Sequence, residues 1–428
     1  MFSRMNVSGR IPGIQLSTAL LWYMVLLVAL VTLMPFEFQL NGRHRLSMIA
    51  GVGDVVGNII LFLPLGFLFQ LSRKIDRQIR TWPVFLYGFA GSFVVEMLQL
   101  FLPDRYTSPA DMLSNALGAW LGALGADALN RYFATGEKGT SVLELPLTQL
   151  VYLLIPLMWI NGMSVFGDKY RLWLLVLLSF TAAVLLAELY NHRLRHATDL
   201  RKWQFIAGAC SYFSLGIMPA YMRYPEESLL IAFLATTTVA TLIIPKPGRS
   251  ASERRFERVV LRKILFFFAL YLFLMSIWPI PMKTAFRITL IGLDTLGRNS
   301  SIPYILRLLE YVGGFTLLGF MVGEYLGRFQ GSKTQLRLLE ILLLGGSAIL
   351  LEGLRSFQGD YRFSLFQLGV SMLLGWYGML LFHLQLRALK KGAPKAEPGK
   401  QSIQEPSRKT ALTALGEKPH PIPQNRAI

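Results

Sequence analysis

Six polar residues, Asn58, Glu96, Gln99, Arg105, Asp111 and Asn115, interrupt three otherwise apolar segments between Asp54 and Gly125. Their types suit one another. A carboxyl group can move a proton or accept hydrogen bonds, and a guanidinium fork matches a phosphate or a carboxylate. Side-chain amides donate and accept, and so orient a ligand. A charged group inside a membrane-length apolar run costs about 2.5–3.5 kcal/mol on insertion scales, so such groups are kept for a task or paired. Glu96 and Asp111 are the candidate catalytic residues, while Arg105, Asn115, Asn58 and Gln99 are the candidate ligand-binding residues. Whether the site catalyses a reaction or only binds stays open at this level.

Each residue also has a plainer role. Ser108-Pro109-Ala110-Asp111 has the form of a capping box with Pro at the first helical position. Glu96 and Arg105 can form a structural pair, and Asn58 and Asn115 can bridge helices. Gly118, Gly122 and Gly125 would let their helix approach a neighbour closely. Elsewhere, Glu188 can snorkel, and Arg307 and Glu310 are spaced to pair on one helix face. His192 and His196 have a metal-ligand spacing but no acid cluster or cysteine beside them, so no metal site is expected. Asp76-Arg77 only faintly echoes a transporter loop, and neither a nucleotide loop nor a nucleophile elbow is present, so no cofactor is expected.

The elements that must carry these residues are long and apolar. Of 428 residues, 53% are hydrophobic and 16% charged, a balance unlike that of a soluble protein. Apolar runs near 20 residues predict an all-α, polytopic membrane protein with about twelve spans. They lie near 15–36, 55–71, 84–102, 109–132, 145–161, 170–189, 203–222, 228–244, 260–279, 303–326, 336–354 and 363–386. The first is too long for a signal-peptide core and reads as a retained span. Cys210 is the only cysteine, so no disulfide forms within one chain. From residue 387 to 428 the composition reads as a disordered tail.

The net charge of +18 is spread over short connections rather than over an aromatic and basic platform, which argues against nucleic acid as a partner. One alternate set of connections carries Arg73, Lys74, Arg77, Arg80, the run Arg193–Lys202 and Lys246–Lys263, about twice the basic residues of the opposite set. Both termini are therefore predicted to be cytoplasmic, with membrane lipids as neighbours. Glu96 then lies roughly 9 Å below the outer end of its span, with Gln99 one turn above it on the same face. Asp111 and Asn115 share a face of the next span, and Asn58 lies one turn into the span before. All six are expected in one shallow layer near the outer surface.

A displacement of 256 residues lays Asp54-Val-Val-Gly57 on Glu310-Tyr-Val-Gly313, and matches Glu96 with Glu352, Ser108 with Ser364 and Gly122 with Gly378. This predicts a parallel internal repeat of four helices, with units at 15–132 and 260–386 flanking a middle four-helix segment at 145–244. In the second unit Gln99 becomes Arg355, Asp111 becomes Gln367, Asn115 becomes Ser371 and, at this displacement, Asn58 becomes Gly314. Only Glu352 is retained.

The run Asn58-Ile-Ile-Leu-Phe-Leu-Pro64-Leu-Gly66, then Glu96-Met-Leu-Gln99, Arg105 and Asp111-Met-Leu-Ser-Asn115-Ala-Leu-Gly118 resembles the VanZ-like family. That resemblance implies a multi-pass protein of the bacterial cytoplasmic (inner) membrane connected with the cell envelope. The family is named for a membrane protein associated with resistance to the glycopeptide antibiotic teicoplanin. The expected function is an outer-face pocket that engages a lipid-linked or peptidoglycan-type ligand, linked to glycopeptide resistance or to envelope and polysaccharide biogenesis. Two alternatives stand beside it. One is a non-catalytic scaffold with an envelope or export partner protein. The other is a transporter of small molecules or lipids, although its site would be expected at mid-membrane.

Overall fold

Apolar runs of this length offer the backbone no water, and an α-helix bonds every peptide group from within its own segment. The computed structural model describes residues 12–34, 36, 38–39, 51–73, 80–102, 107–134, 148–191, 202–243, 255–278, 288–289, 302–327, 333–357 and 363–392. Among them are twelve α-helices, one for each predicted segment. They are α1 (Pro12–Thr32), α2 (Val52–Ser72), α3 (Trp82–Gln99), α4 (Pro109–Ala134), α5 (Thr148–Ser164) and α6 (Leu172–Leu189). The second half holds α7 (Lys202–Tyr221), α8 (Pro225–Leu242), α9 (Arg255–Ile277), α10 (Ile302–Leu326), α11 (Lys333–Arg355) and α12 (Leu365–Gly392). The protein is all-α; a two-residue parallel pairing of 288–289 with 363–364 is the one sheet among the described residues. Arg105, His192, His196 and Asp76-Arg77 lie outside the described residues, as does 393–428 of the predicted tail, while α12 continues to Gly392.

By length and composition, five of the helices are fit to cross a membrane: α2, α6 with the turn before it, and the apolar stretches of α9, α10 and α12. The expected twelve spans are thus twelve helices of uneven apolarity. α4 runs for 26 residues but carries Asp111, Asn115 and Asp127. α10 is buried along nearly its whole length. Around it pack α5, α9, α11 and α12. Outward faces are apolar, with Trp203, Leu230 and Phe233 exposed on α7 and α8 and Ile341, Leu342 and Leu350 on α11. Such surface suits lipid contact.

Proline sets several helix ends. Pro12, Pro109 and Pro225 open α1, α4 and α8, where the missing N–H would have no intrahelical partner anyway.

The most extensive pairings are α2 with α4 and α10 with α12. They rest on backbone approach: a Cβ at Gly66 would run into the Ala119 carbonyl, and one at Gly122 into the Leu63 carbonyl and Phe67 N. Gly118 meets α2 in the same way at Ile59. Gly125 does not, because a Cβ there would only touch the Phe67 ring at 4.0 Å. The approach recurs in the second half, where Gly319 meets the Gly375 carbonyl and Gly378 meets Thr316 and Phe320. Gly66 and Gly319 are 253 residues apart, whereas Ala119 and Gly375 are 256 apart. At that packing register Asn58 stands opposite Tyr311 rather than Gly314, one helical turn away from the displacement that best matches the sequences.

Two expected charge roles change. Glu310 does not depend on Arg307 one turn away; it accepts from Arg171 at 2.6 Å and from Ser164, both on other segments. Glu188 pairs with Lys263 at 3.0 Å.

Candidate functional site

The site is at the end of the bundle that holds the N-terminal turns of α2 and α4 and the C-terminal turn of α3. Asn58 on α2 donates its amide to Asp111 Oδ1 on α4 at 2.8 Å. One turn deeper on α4, Asn115 donates to Ser92 Oγ on α3 at 2.8 Å, and its Oδ1 has no partner among the described residues. Gln99 reaches the last turn of α1 and donates to the Thr32 carbonyl at 2.8 Å. Glu96 is buried, with 3% of its surface exposed, and accepts the Ser108 backbone N–H at 3.1 Å. Thr107 closes the same corner by donating to the Glu96 carbonyl at 3.2 Å.

These bonds revise the expected capping box. The Ser108 hydroxyl has no partner among the described residues, and Asp111 turns to Asn58 instead of the helix start. A carboxylate from α3 does the work at Ser108 N, so α3 is bonded to the first turn of α4. The same bond joins Glu352 to Ser364 N at 3.0 Å. Buried N–H groups need such an acceptor, since leaving one unmade costs about 1–3 kcal/mol.

Asn58, Glu96, Gln99, Asp111 and Asn115 line one cavity of about 480 Å³, together with Asp54. Asp54 also accepts the Gly51 N–H at 3.2 Å, at the start of α2. Five of the six predicted residues are therefore brought together. The sixth, Arg105, is outside the described residues. The described lining holds three carboxyl groups and no lysine or arginine. That inventory, with three amides already oriented, suits hydroxyl-rich or ammonium-bearing groups.

The opposite wall comes from residues that sequence reasoning missed. Trp159 and Met163 on α5, Phe166 after it, and Met218, Pro219 and Met222 around the end of α7 close the cavity. One signal for this was present in the sequence. Pro219 has no N–H to give the Leu215 carbonyl four residues back. The Trp159 indole donates to that freed carbonyl at 2.8 Å and is held against the cavity.

Beside the polar cavity runs an apolar groove lined by Met24, Leu27, Val28, Ile60, Pro64 and Ile155. Val31, Leu61, Trp159 and Met163 form walls of both. Groove and cavity are continuous in lining, one greasy and one polar. Among the described residues no group of acids, histidines or cysteines is placed to hold a metal ion.

Comparison with known proteins locates the site in a family unit. The VanZ/LLP1 family model matches residues 14–130. No curated protein and no solved structure matches the chain. The matched stretch runs from α1 into the last turns of α4 and carries all six polar residues, so residues 14–130 are a VanZ-like domain within an all-helical protein of membrane character.

Proposed function

We propose that this chain is a multi-pass protein of the bacterial inner membrane, with both termini cytoplasmic, whose polar cavity opens toward the outer face and holds the head of a lipid-linked or peptidoglycan-type ligand. The observation that carries this reading is the shared wall of Val31, Leu61, Trp159 and Met163 between cavity and groove. An amphiphile needs such a pairing, with its chain in the groove and its hydroxyls or amines among Asn58, Asp111, Glu96 and Asn115. Drug-sized sites elsewhere have the same mix of apolar walls and a few oriented polar groups. Arg105 would supply a fork for phosphate or carboxylate.

In this reading α9–α12 are a parallel copy of α1–α4. The repeated glycine approach and the repeated carboxylate at the start of the fourth helix support it. The second copy has packed its polar layer shut. Tyr311, the residue equivalent to Asn58 at the packing register, is buried, and the Arg355 guanidinium lies 5.0 Å from its ring. Glu352 has Arg355 at 4.0 Å. The first copy binds and the second supports.

The test is untargeted analysis of lipids and cell-wall fragments that co-purify with the full-length protein, alongside glycopeptide susceptibility of cells with and without the gene. A specific envelope lipid enriched with wild type and lost with Glu96→Gln, at equal membrane levels, supports the reading. Equal lipid profiles for both proteins overturn it.

A further inference from the structure

The polar cavity presents oxygens, because its nitrogens have turned elsewhere. Asn58 donates to Asp111, Asn115 to Ser92, Gln99 to the Thr32 carbonyl and the Trp159 indole to the Leu215 carbonyl. An amide whose nitrogen is turned to the protein points its oxygen the other way. Gln99 is 8% exposed, yet its Oε1 has no donor among the described residues and is not closed off from the cavity it lines. Asn58 Oδ1 is likewise without a donor among them. Asn115 Oδ1, by contrast, is shut away from any occupant.

The three carboxyl groups divide in a similar way. Asp54 accepts the Gly51 N–H at the start of α2, and Glu96 the Ser108 N–H at the start of α4. Helix dipoles favour an anion at both places. The Asp111 side chain bonds no backbone N–H among the described residues. Half-buried, it spends Oδ1 on Asn58, and its Oδ2 has no donor among them.

We propose that the head held in this cavity carries a primary ammonium group, with Asp111 Oδ2 as its counter-charge and Gln99 Oε1 and Asn58 Oδ1 as further acceptors. A primary ammonium has three donors and no acceptor, so it strands no lone pair against a wall of oxygens. A hydroxyl would leave Asp111 without an opposite charge, and a phosphate would meet a like one. A carboxylate drawn from water gains most from a cation that also donates to it. Gly57 supplies room. It shares a face of α2 with Gly53 and Leu61, all in the cavity wall, and a Cβ there would meet nothing within 4 Å. The inference rests on the reading of this cavity as the head site of an amphiphile.

The experiment titrates full-length protein in detergent at neutral pH with hexadecylamine, hexadecyltrimethylammonium, hexadecanol and ethanolamine. Native mass spectrometry reads the three amphiphiles, and a thermal-shift assay reads ethanolamine. Wild type should bind hexadecylamine at least about tenfold more tightly than hexadecanol, the ratio expected for a charge-assisted hydrogen bond. It should also prefer hexadecylamine to the quaternary ion, which has the charge but no N–H. The net charge of +18 works against an unspecific gain for either cation. Asp111→Asn keeps an acceptor for Asn58 and should bring hexadecylamine down to the level of hexadecanol, whose own binding is unchanged. Gly57→Leu puts a side chain into the open space and should weaken all three amphiphiles together. If Asp111→Asn does not reach the membrane, the wild-type comparison of primary and quaternary ions decides. Equal binding of hexadecylamine and hexadecanol, or of hexadecylamine and the quaternary ion, overturns the ammonium site; a common loss with Gly57→Leu then spares the head-site reading. Amphiphile binding that Gly57→Leu leaves unchanged overturns that reading and the ammonium site with it. Stabilisation by ethanolamine alone, lost with Asp111→Asn, supports the ammonium site and overturns the lipid source. No binding of any probe overturns both.

Discussion

The Asn58 side-chain nitrogen stands 2.8 Å from Asp111 Oδ1, and this single bond ties α2 to α4 inside the wall of the polar cavity. It separates charge from geometry. Asp111→Asn keeps an oxygen for the Asn58 amide to reach, so the protein should lose no more than about 0.6 kcal/mol of stability, the average for such bonds between membrane helices. If the negative charge serves the ligand, complementation of a deletion strain fails all the same. Melting temperature in detergent and complementation, measured on the same preparation of cells, check the two halves of this expectation.

Glu96 permits a similar separation. Glu96→Gln can still accept the Ser108 N–H, so its level in the membrane should match wild type while activity is lost. Glu96→Leu removes the acceptor and leaves a buried N–H unmet, at a cost of about 1–3 kcal/mol. Immunoblots of membranes should therefore show Gln normal and Leu reduced. Equal loss of both proteins would assign Glu96 a purely structural role.

Two glycines that look alike in sequence should respond differently. Gly66→Ala drives a methyl group into the Ala119 carbonyl and must part α2 from α4, costing about 1–3 kcal/mol as overpacking does elsewhere. Gly125→Ala meets only the Phe67 ring at ordinary contact distance and should be neutral or slightly stabilising. Thermal unfolding of the two variants side by side is the measurement.

Arg171 and Glu310 form a buried pair at 2.6 Å, and removing one partner strands the other charge. Arg171→Met or Glu310→Met alone should cost about 3–5 kcal/mol, while the double variant should cost much less. A double-mutant cycle on melting temperature in detergent reads this coupling, and additive losses would contradict it.

Pro219 offers a test of how the far wall is held. Pro219→Ala restores an N–H to the Leu215 carbonyl and so competes with the Trp159 indole for it. The helix should become no less stable, since an interior proline costs about 3 kcal/mol in a helix. Retention of co-purified amphiphile should nevertheless fall, because Trp159 loses its anchor. Melting temperature and bound-lipid content moving in opposite directions is the expected result.

The sequence by itself determined the twelve helices, because long apolar runs can satisfy their backbones in no other local way. It also determined which residues of α2, α3 and α4 share a face, since spacings of three and four residues are fixed by the helix. From those two facts the meeting of Asn58, Glu96, Gln99, Asp111 and Asn115 at one end could be read. The tertiary structure alone decided what faces them. Trp159, Met163 and Met222 are ordinary apolar residues in a segment with no recognisable motif, and their role follows from α5 and α7 packing against the site. It also decided partners: Glu310 takes Arg171, 139 residues away, instead of Arg307 on its own helix, and Ser108 N takes Glu96 instead of a local cap. The displacement of 253 residues from Gly66 to Gly319, against 256 from Ala119 to Gly375, was equally hidden. Slipping a helix by three residues returns nearly the same face, so sequence matching cannot see it, whereas a glycine seated under a carbonyl admits one register only.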